Sequence, residues 1–72
     1  MKDRVGYKRV FDFITNFIAK QHYGPTVREI GAAVNCVPSL VQFHLNTLET
    51  KGVIARTPGR IRSITLTGVA LN

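Results

Sequence analysis

Three stretches of the chain carry apolar residues at helical spacing, and a fourth carries them in alternation. Tyr7, Val10, Phe11, Ile14, Phe17 and Ile18 recur every three or four positions and draw one buried stripe along a first helix. Lys8, Asp12, Thr15 and Lys20 take the other side, and Phe13 falls at the edge of the stripe. Tyr23-Gly24-Pro25 closes this helix, because glycine accepts a left-handed cap and proline cannot continue. Thr26, with Glu29 three residues on, makes a reciprocal capping box for a second helix running to Val34. Val27, Ile30 and Val34 line its buried face, and Gly31 and Ala33 are small enough for another helix to approach closely. Asn35 tolerates the left-handed turn that ends it.

Pro38 suits the first turn of a third helix and holds Val37 extended. With Val41 at the centre, Leu45 and Leu48 fall within about 40° of it at ~100° per residue, which defines the core face. His44 lies about 60° away, at the border beside the first helix. Lys51-Gly52 supplies a cation and then a glycine, a helix stop. Beyond it, Val53–Arg56 reads as a short strand and Thr57-Pro58-Gly59-Arg60 as a turn. Ile61–Thr67 reads as the returning strand, with Ile64 and Leu66 on one face. Such a hairpin is marginal alone and must pack on the helices. The fold class is therefore mainly α with a small β-hairpin, three helices followed by a two-stranded wing. No repeat or linker interrupts the 72 residues, so one domain covers 1–72, with 1–6 and 68–72 expected to be flexible ends.

Size removes many functions. A chain of 72 residues cannot hold a deep pocket, a cofactor cradle and a folded core together. No apolar run approaches a membrane span, and the first residues lack the apolar centre of a signal peptide. A soluble intracellular chain is the expectation. Cys36 is the lone cysteine, and with His22 and His44 it matches no tight zinc-ligand spacing. It reads as a small buried apolar residue, and neither metal nor cofactor is expected. His44 has no nucleophile facing it and no carboxylate placed to orient it, and no glycine-rich phosphate loop is present, so catalysis is not expected.

Charge is the first positive clue. The net charge is +6, from ten basic and four acidic residues. Residues 51–72 hold Lys51, Arg56, Arg60 and Arg62 and no acid, whereas 25–50 hold only Arg28 against Glu29 and Glu49. A basic balance of this kind attracts polyanions. The second and third helices are separated by only Asn35-Cys36-Val37, which is helix-turn-helix spacing, and the basic hairpin follows at once, as a wing would. Ser39, Phe43, Asn46 and Thr50 point away from the core of the third helix, flanked by Leu40, Gln42 and Thr47. This face carries no charge, and its amides and hydroxyls suit base edges, while Phe43 suits a thymine methyl or a protein partner. Arg56, Arg60 and Arg62 are spaced to reach phosphates, and Arg60 at the tip is able to enter a minor groove.

These residues resemble a known family. Gly24-Pro25-Thr26-Val27-Arg28-Glu29-Ile30 is similar to the PPTxxEI segment of LexA-type DNA-binding domains. His44-Leu45-Asn46-Thr47-Leu48-Glu49-Thr50-Lys51-Gly52-Val53-Ile54 resembles that family's HLxxLExKGxI segment, and Val10-Phe11-Asp12-Phe13-Ile14 its first helix. The resemblance runs from about residue 7 to 66 and implies a winged helix-turn-helix that regulates transcription in the cytoplasm of a bacterium or phage-infected host. The family continues into a self-cleaving domain with a dimer interface. Neither lies in these 72 residues, so self-cleavage is not carried over. Val37 stands where winged-helix regulators often place a capping Ser or Thr, and Leu40 and Phe43 depart from the usual base readers. The docking mode is carried over and the recognised sequence is not.

The reading is a sequence-specific double-stranded DNA-binding domain of a repressor. Ser39, Leu40, Gln42, Phe43 and Asn46 are its candidate base readers, and Thr26, Arg28, Lys51, Arg56, Arg60 and Arg62 its candidate backbone contacts. A dimer on DNA is expected, since one helix-turn-helix binds weakly. The alternative is a winged-helix interaction module that docks a regulator or polymerase through Leu40 and Phe43. RNA suits this face less, because the A-form major groove is too deep and narrow for helix readout.

Overall fold

In a computed structural model, which describes residues 6–57 and 59–71, three helices precede a two-stranded hairpin. Helix α1 spans Tyr7–Gln21, α2 Val27–Val34 and α3 Pro38–Thr50; strand β1 is Ile54–Ala55 and β2 Thr65–Leu66. The strands pair antiparallel, with Ile54 opposite Leu66 and Ala55 opposite Thr65. No described helix is long and apolar enough to cross a membrane.

The helix ends follow local chemistry. The Gly6 carbonyl accepts from the amides of Arg9 and Val10 at the start of α1. The capping box at α2 is complete: Thr26 Oγ1 accepts from the Glu29 amide at 3.1 Å, and Glu29 Oε1 from the Thr26 amide at 2.9 Å. Asn35 ends α2 in the left-handed conformation, with φ of 58°. Val37 caps α3 without a side-chain hydrogen bond, and Pro38 opens the helix. Lys51-Gly52 stops α3, where the amides of Gly52 and Val53 turn back to the carbonyls of Glu49 and Leu48.

One cap differs from the sequence-based expectation. The left-handed residue after α1 is His22, with φ of 67°, and not Gly24. Gly24 serves close approach instead, since a Cβ there would collide with the Ile64 carbonyl oxygen. That contact lets the wing strand lie against the turn between α1 and α2.

The core is made by one face of each helix, by β1 with the residue before it, and by Ile64 just ahead of β2. Val10 and Ile14 of α1, Ile30 and Val34 of α2, and Val41, Leu45 and Leu48 of α3 are buried with Val53, Ile54 and Ile64. Tyr7, Phe11, Phe13, Ile18 and Val27 cover its rim. Phe17 falls outside this cluster, contrary to its place in the α1 stripe; it packs on Phe13 and Tyr23 at ring distances of 5.6 and 5.7 Å. A Cβ on Gly31 would lie 2.7 Å from the Cys36 carbonyl oxygen and 3.6 Å from Val41 Cγ2, so glycine allows α3 its close approach. Ala33 does not share that role and is exposed.

The strands are shorter than Val53–Arg56 and Ile61–Thr67. Arg62 takes a left-handed φ of 57°, which breaks the returning strand, and the Thr57 amide donates to Ser63 Oγ at 3.1 Å instead of to a ladder carbonyl. Ile64 still reaches the core, whereas Leu66 is 37% exposed and Ile61 is 79% exposed. At the C-terminal end, Leu71 packs against the core cluster. Of the ends expected to be flexible, residues 1–5 and Asn72 lie outside the described residues, as does Pro58 in the wing turn.

Candidate nucleic-acid interface

Helices α2 and α3 are joined by the three residues Asn35, Cys36 and Val37, and both ends of that turn are fixed. The Cys36 amide donates to the Gly31 carbonyl at 2.9 Å, and the Leu40 and Val41 amides donate to Val37. Because Val41, Leu45 and Leu48 are buried, the opposite side of α3 must face outward. Ser39, Leu40, Gln42, Phe43 and Asn46 all lie on that exposed side. Phe43 does not fold back: it is 61% exposed, and its ring stands in a T-shaped arrangement with the His44 ring, centres 5.7 Å apart. His44 itself is buried, and neither ring nitrogen has a hydrogen-bond partner among the described residues.

The cations fall into two groups. Arg56 and Arg62 are engaged by other groups of the chain at its surface. Arg56, just after β1, donates to Gln42 Oε1 at 3.0 Å, to Asn46 Oδ1 at 2.6 Å and to Glu49 Oε1 at 2.9 Å. Arg62 donates to both carboxylate oxygens of Glu29, at 3.0 and 2.9 Å, and to the Gly24 carbonyl at 3.2 Å. Its guanidinium also lies 4.6 Å from the centre of the Tyr23 ring. These hydrogen bonds hold the Glu29 carboxyl below its ordinary range, Arg62 contributing most and the Thr26 amide next.

The second group makes no ion pair among the described residues. Arg28 is exposed on α2, Arg60 is exposed at the wing turn, and the Lys51 ammonium sits 5.0 Å from the Tyr7 ring centre. Thr26 is spent on its cap through Oγ1, and that hydroxyl keeps a proton to donate. A cleft of about 430 Å³ separates the wing from α2 and α3, walled by Thr26, Leu45, Arg56, Arg60, Arg62 and Ile64.

Sequence reasoning placed the base-edge candidates together and missed their anchors. Glu49 and Tyr23 were not among the candidate site residues, and Glu29 was read only as a cap. Arg56 meets its partners across separations of seven to fourteen residues, and Arg62 meets Glu29 across 33. Those separations carry no periodic signal, because the hairpin register sets them.

The family model described as the LexA DNA binding domain matches residues 6–63. The chain belongs to the LexA DNA-binding domain family.

Similar LexA repressors include that of Thermotoga neapolitana, 43% identical over 68 residues, covering 93% of this chain and 34% of that protein. The LexA repressor of Thermosipho africanus is 41% identical over 59 residues, covering 82% of this chain and 30% of its own. LexA repressor 2 of Geobacter sulfurreducens is 44% identical over 62 residues, covering 85% and 30%. The chain thus spans about a third of the length of the repressors it matches. Its matched segment holds α1, the helix-turn-helix and the wing through Ser63.

Proposed function

We propose that this LexA-type domain reads double-stranded DNA as the operator-binding part of a transcriptional repressor in the bacterial cytoplasm. Helix α3 lies in the major groove, and the wing crosses the adjacent backbone. Ser39, Leu40, Gln42, Phe43 and Asn46 meet base edges; Arg28, Lys51, Arg60 and the Thr26 hydroxyl meet phosphates. The observation that carries this reading is the hydrogen-bonding outer face of α3, whose one carboxylate, Glu49, is paired with Arg56, standing opposite a fully buried inner face and flanked by cations that make no ion pair among the described residues. With the Glu49 charge balanced by Arg56, the face does not repel phosphates and leaves amides for base readout. Two copies occupy a two-fold site with half-sites about 34 Å apart, because a single reading helix binds weakly.

The test is a titration against a random duplex pool at several salt concentrations, with selection of the bound sequences. Affinity falling steeply with salt, together with one enriched symmetric motif, supports the reading. Steep salt dependence without a motif leaves polyanion attraction alone and sinks sequence recognition.

A second reading rests on Phe43, 61% exposed, and Leu40, 40% exposed: the same face docks a regulator or polymerase protein. Phe43→Asp then abolishes partner capture, while neutralising Arg60 leaves it intact.

A further inference from the structure

We propose that Arg56 is a positioning residue for base recognition: held by Glu49, it aims the Gln42 and Asn46 amides so that their NH2 groups face outward as donors. The role rests on the DNA-reading function above. Gln42, Asn46 and Glu49 are spaced four and three residues apart, so they form one stripe along α3. Arg56 enters that stripe from the wing and contacts all three side chains. A guanidinium offers only donors. Each amide must therefore turn its oxygen, not its nitrogen, toward Arg56. The NH2 ends are then presented away from the wing, where the acceptor atoms of base edges, purine N7 and O6 or thymine O4, would meet them.

Two further observations separate this role from a phosphate contact. The Arg56 charge is already matched by Glu49, at 2.9 Å, and its side chain is only 20% exposed. The pair still lies at the surface, with Glu49 43% exposed, and surface ion pairs add little to stability, so orientation is the larger consequence of the network. Fixing the rotamers of Gln42 and Asn46 before DNA arrives also removes part of the ordering cost of binding.

The experiment measures wild type, Arg56→Met, Arg56→Lys and Gln42→Ala against the selected duplex and its single-base variants, at several salt concentrations. Circular dichroism checks that each variant folds. Arg56→Met is expected to lose about tenfold discrimination at the base pairs where Gln42→Ala also loses it, the scale of one good side-chain–base contact. Its salt slope stays at the wild-type value. Arg56→Lys keeps the charge without the planar fork and stays broadened. Should Arg56→Met not fold, Glu49→Gln, which releases the guanidinium without removing it, is expected to broaden the same positions. A uniform loss across all duplexes with a salt slope lower by about one marks a phosphate contact and overturns the proposal. A uniform loss with an unchanged slope marks a strut of the fold and also overturns it. A wild-type domain without base preference overturns the DNA reading itself, and the Arg56 role with it.

Discussion

Arg62 holds Glu29 with two parallel hydrogen bonds, 3.0 and 2.9 Å long, across 33 residues of chain. The same carboxylate caps α2 through the Thr26 amide. One acidic side chain thus fixes the start of the helix-turn-helix and the base of the wing together. Tyr23 lies against the guanidinium, and the Gly24 carbonyl accepts a further bond from it. The backbone of Arg62 is left-handed at this latch, with φ of 57°.

The latch has an acid limit. Arg62 and the Thr26 amide favour the ionised carboxylate, so the folded pKa of Glu29 lies below the ordinary 4.5. A depressed carboxylate contributes stability above its unfolded pKa and loses it as pH falls through the folded one. Melting temperatures of wild type and Glu29→Gln, compared from neutral pH downward, should differ most above 4.5 and converge in acid. A difference that grows in acid contradicts the latch.

Gly31→Ala should destabilise the domain. Alanine gains about 1 kcal/mol of helix propensity over glycine. Its Cβ, however, would press on the Cys36 carbonyl at 2.7 Å, and backbone cannot step aside as a flexible side chain can. Overpacking of this kind costs about 1–3 kcal/mol, so the clash outweighs the gain. Denaturant unfolding measures the balance. A more stable variant would mean that the α2–α3 turn yields.

Val37→Ser should stabilise it. Val37 has the extended backbone of an N-cap, is 61% exposed, and offers no side-chain acceptor. A serine cap is worth about 1 kcal/mol. In a domain of this size that corresponds to about 4–8 °C in melting temperature. Thermal unfolding followed by circular dichroism checks the gain.

Arg60 and Gln42 should fail differently on DNA. Arg60→Ala removes a cation that makes no ion pair among the described residues, so it should weaken all duplexes alike and lower the salt slope by about one. Gln42→Ala should relax preference at one base pair, at about 1–3 kcal/mol. Competition titrations with single-base variants separate the two patterns.

Much of the fold was legible because its signals are local. The Thr26–Glu29 box, the Asn35 turn, Pro38 and Lys51-Gly52 each act within a few residues, and all lie where their chemistry places them. The core face of α3 follows from helical spacing alone. The wing was less legible, because its shape depends on Arg62, Gly24 and Ile64 meeting across distant segments. The same reason hid the internal partners of Arg56 and Arg62. Their sequence context shows two basic residues on a hairpin; only the folded register brings Glu49 and Glu29 to them.

The docking of α3 is tested most directly by NMR titration of the ¹⁵N-labelled domain with its selected duplex. The side-chain amides of Gln42 and Asn46 and the backbone of Ser39–Phe43 should shift strongly, and shift less with a duplex altered at the preferred bases. Strong shifts confined to the exposed side of α1, or equal shifts with every duplex, would contradict base reading by α3.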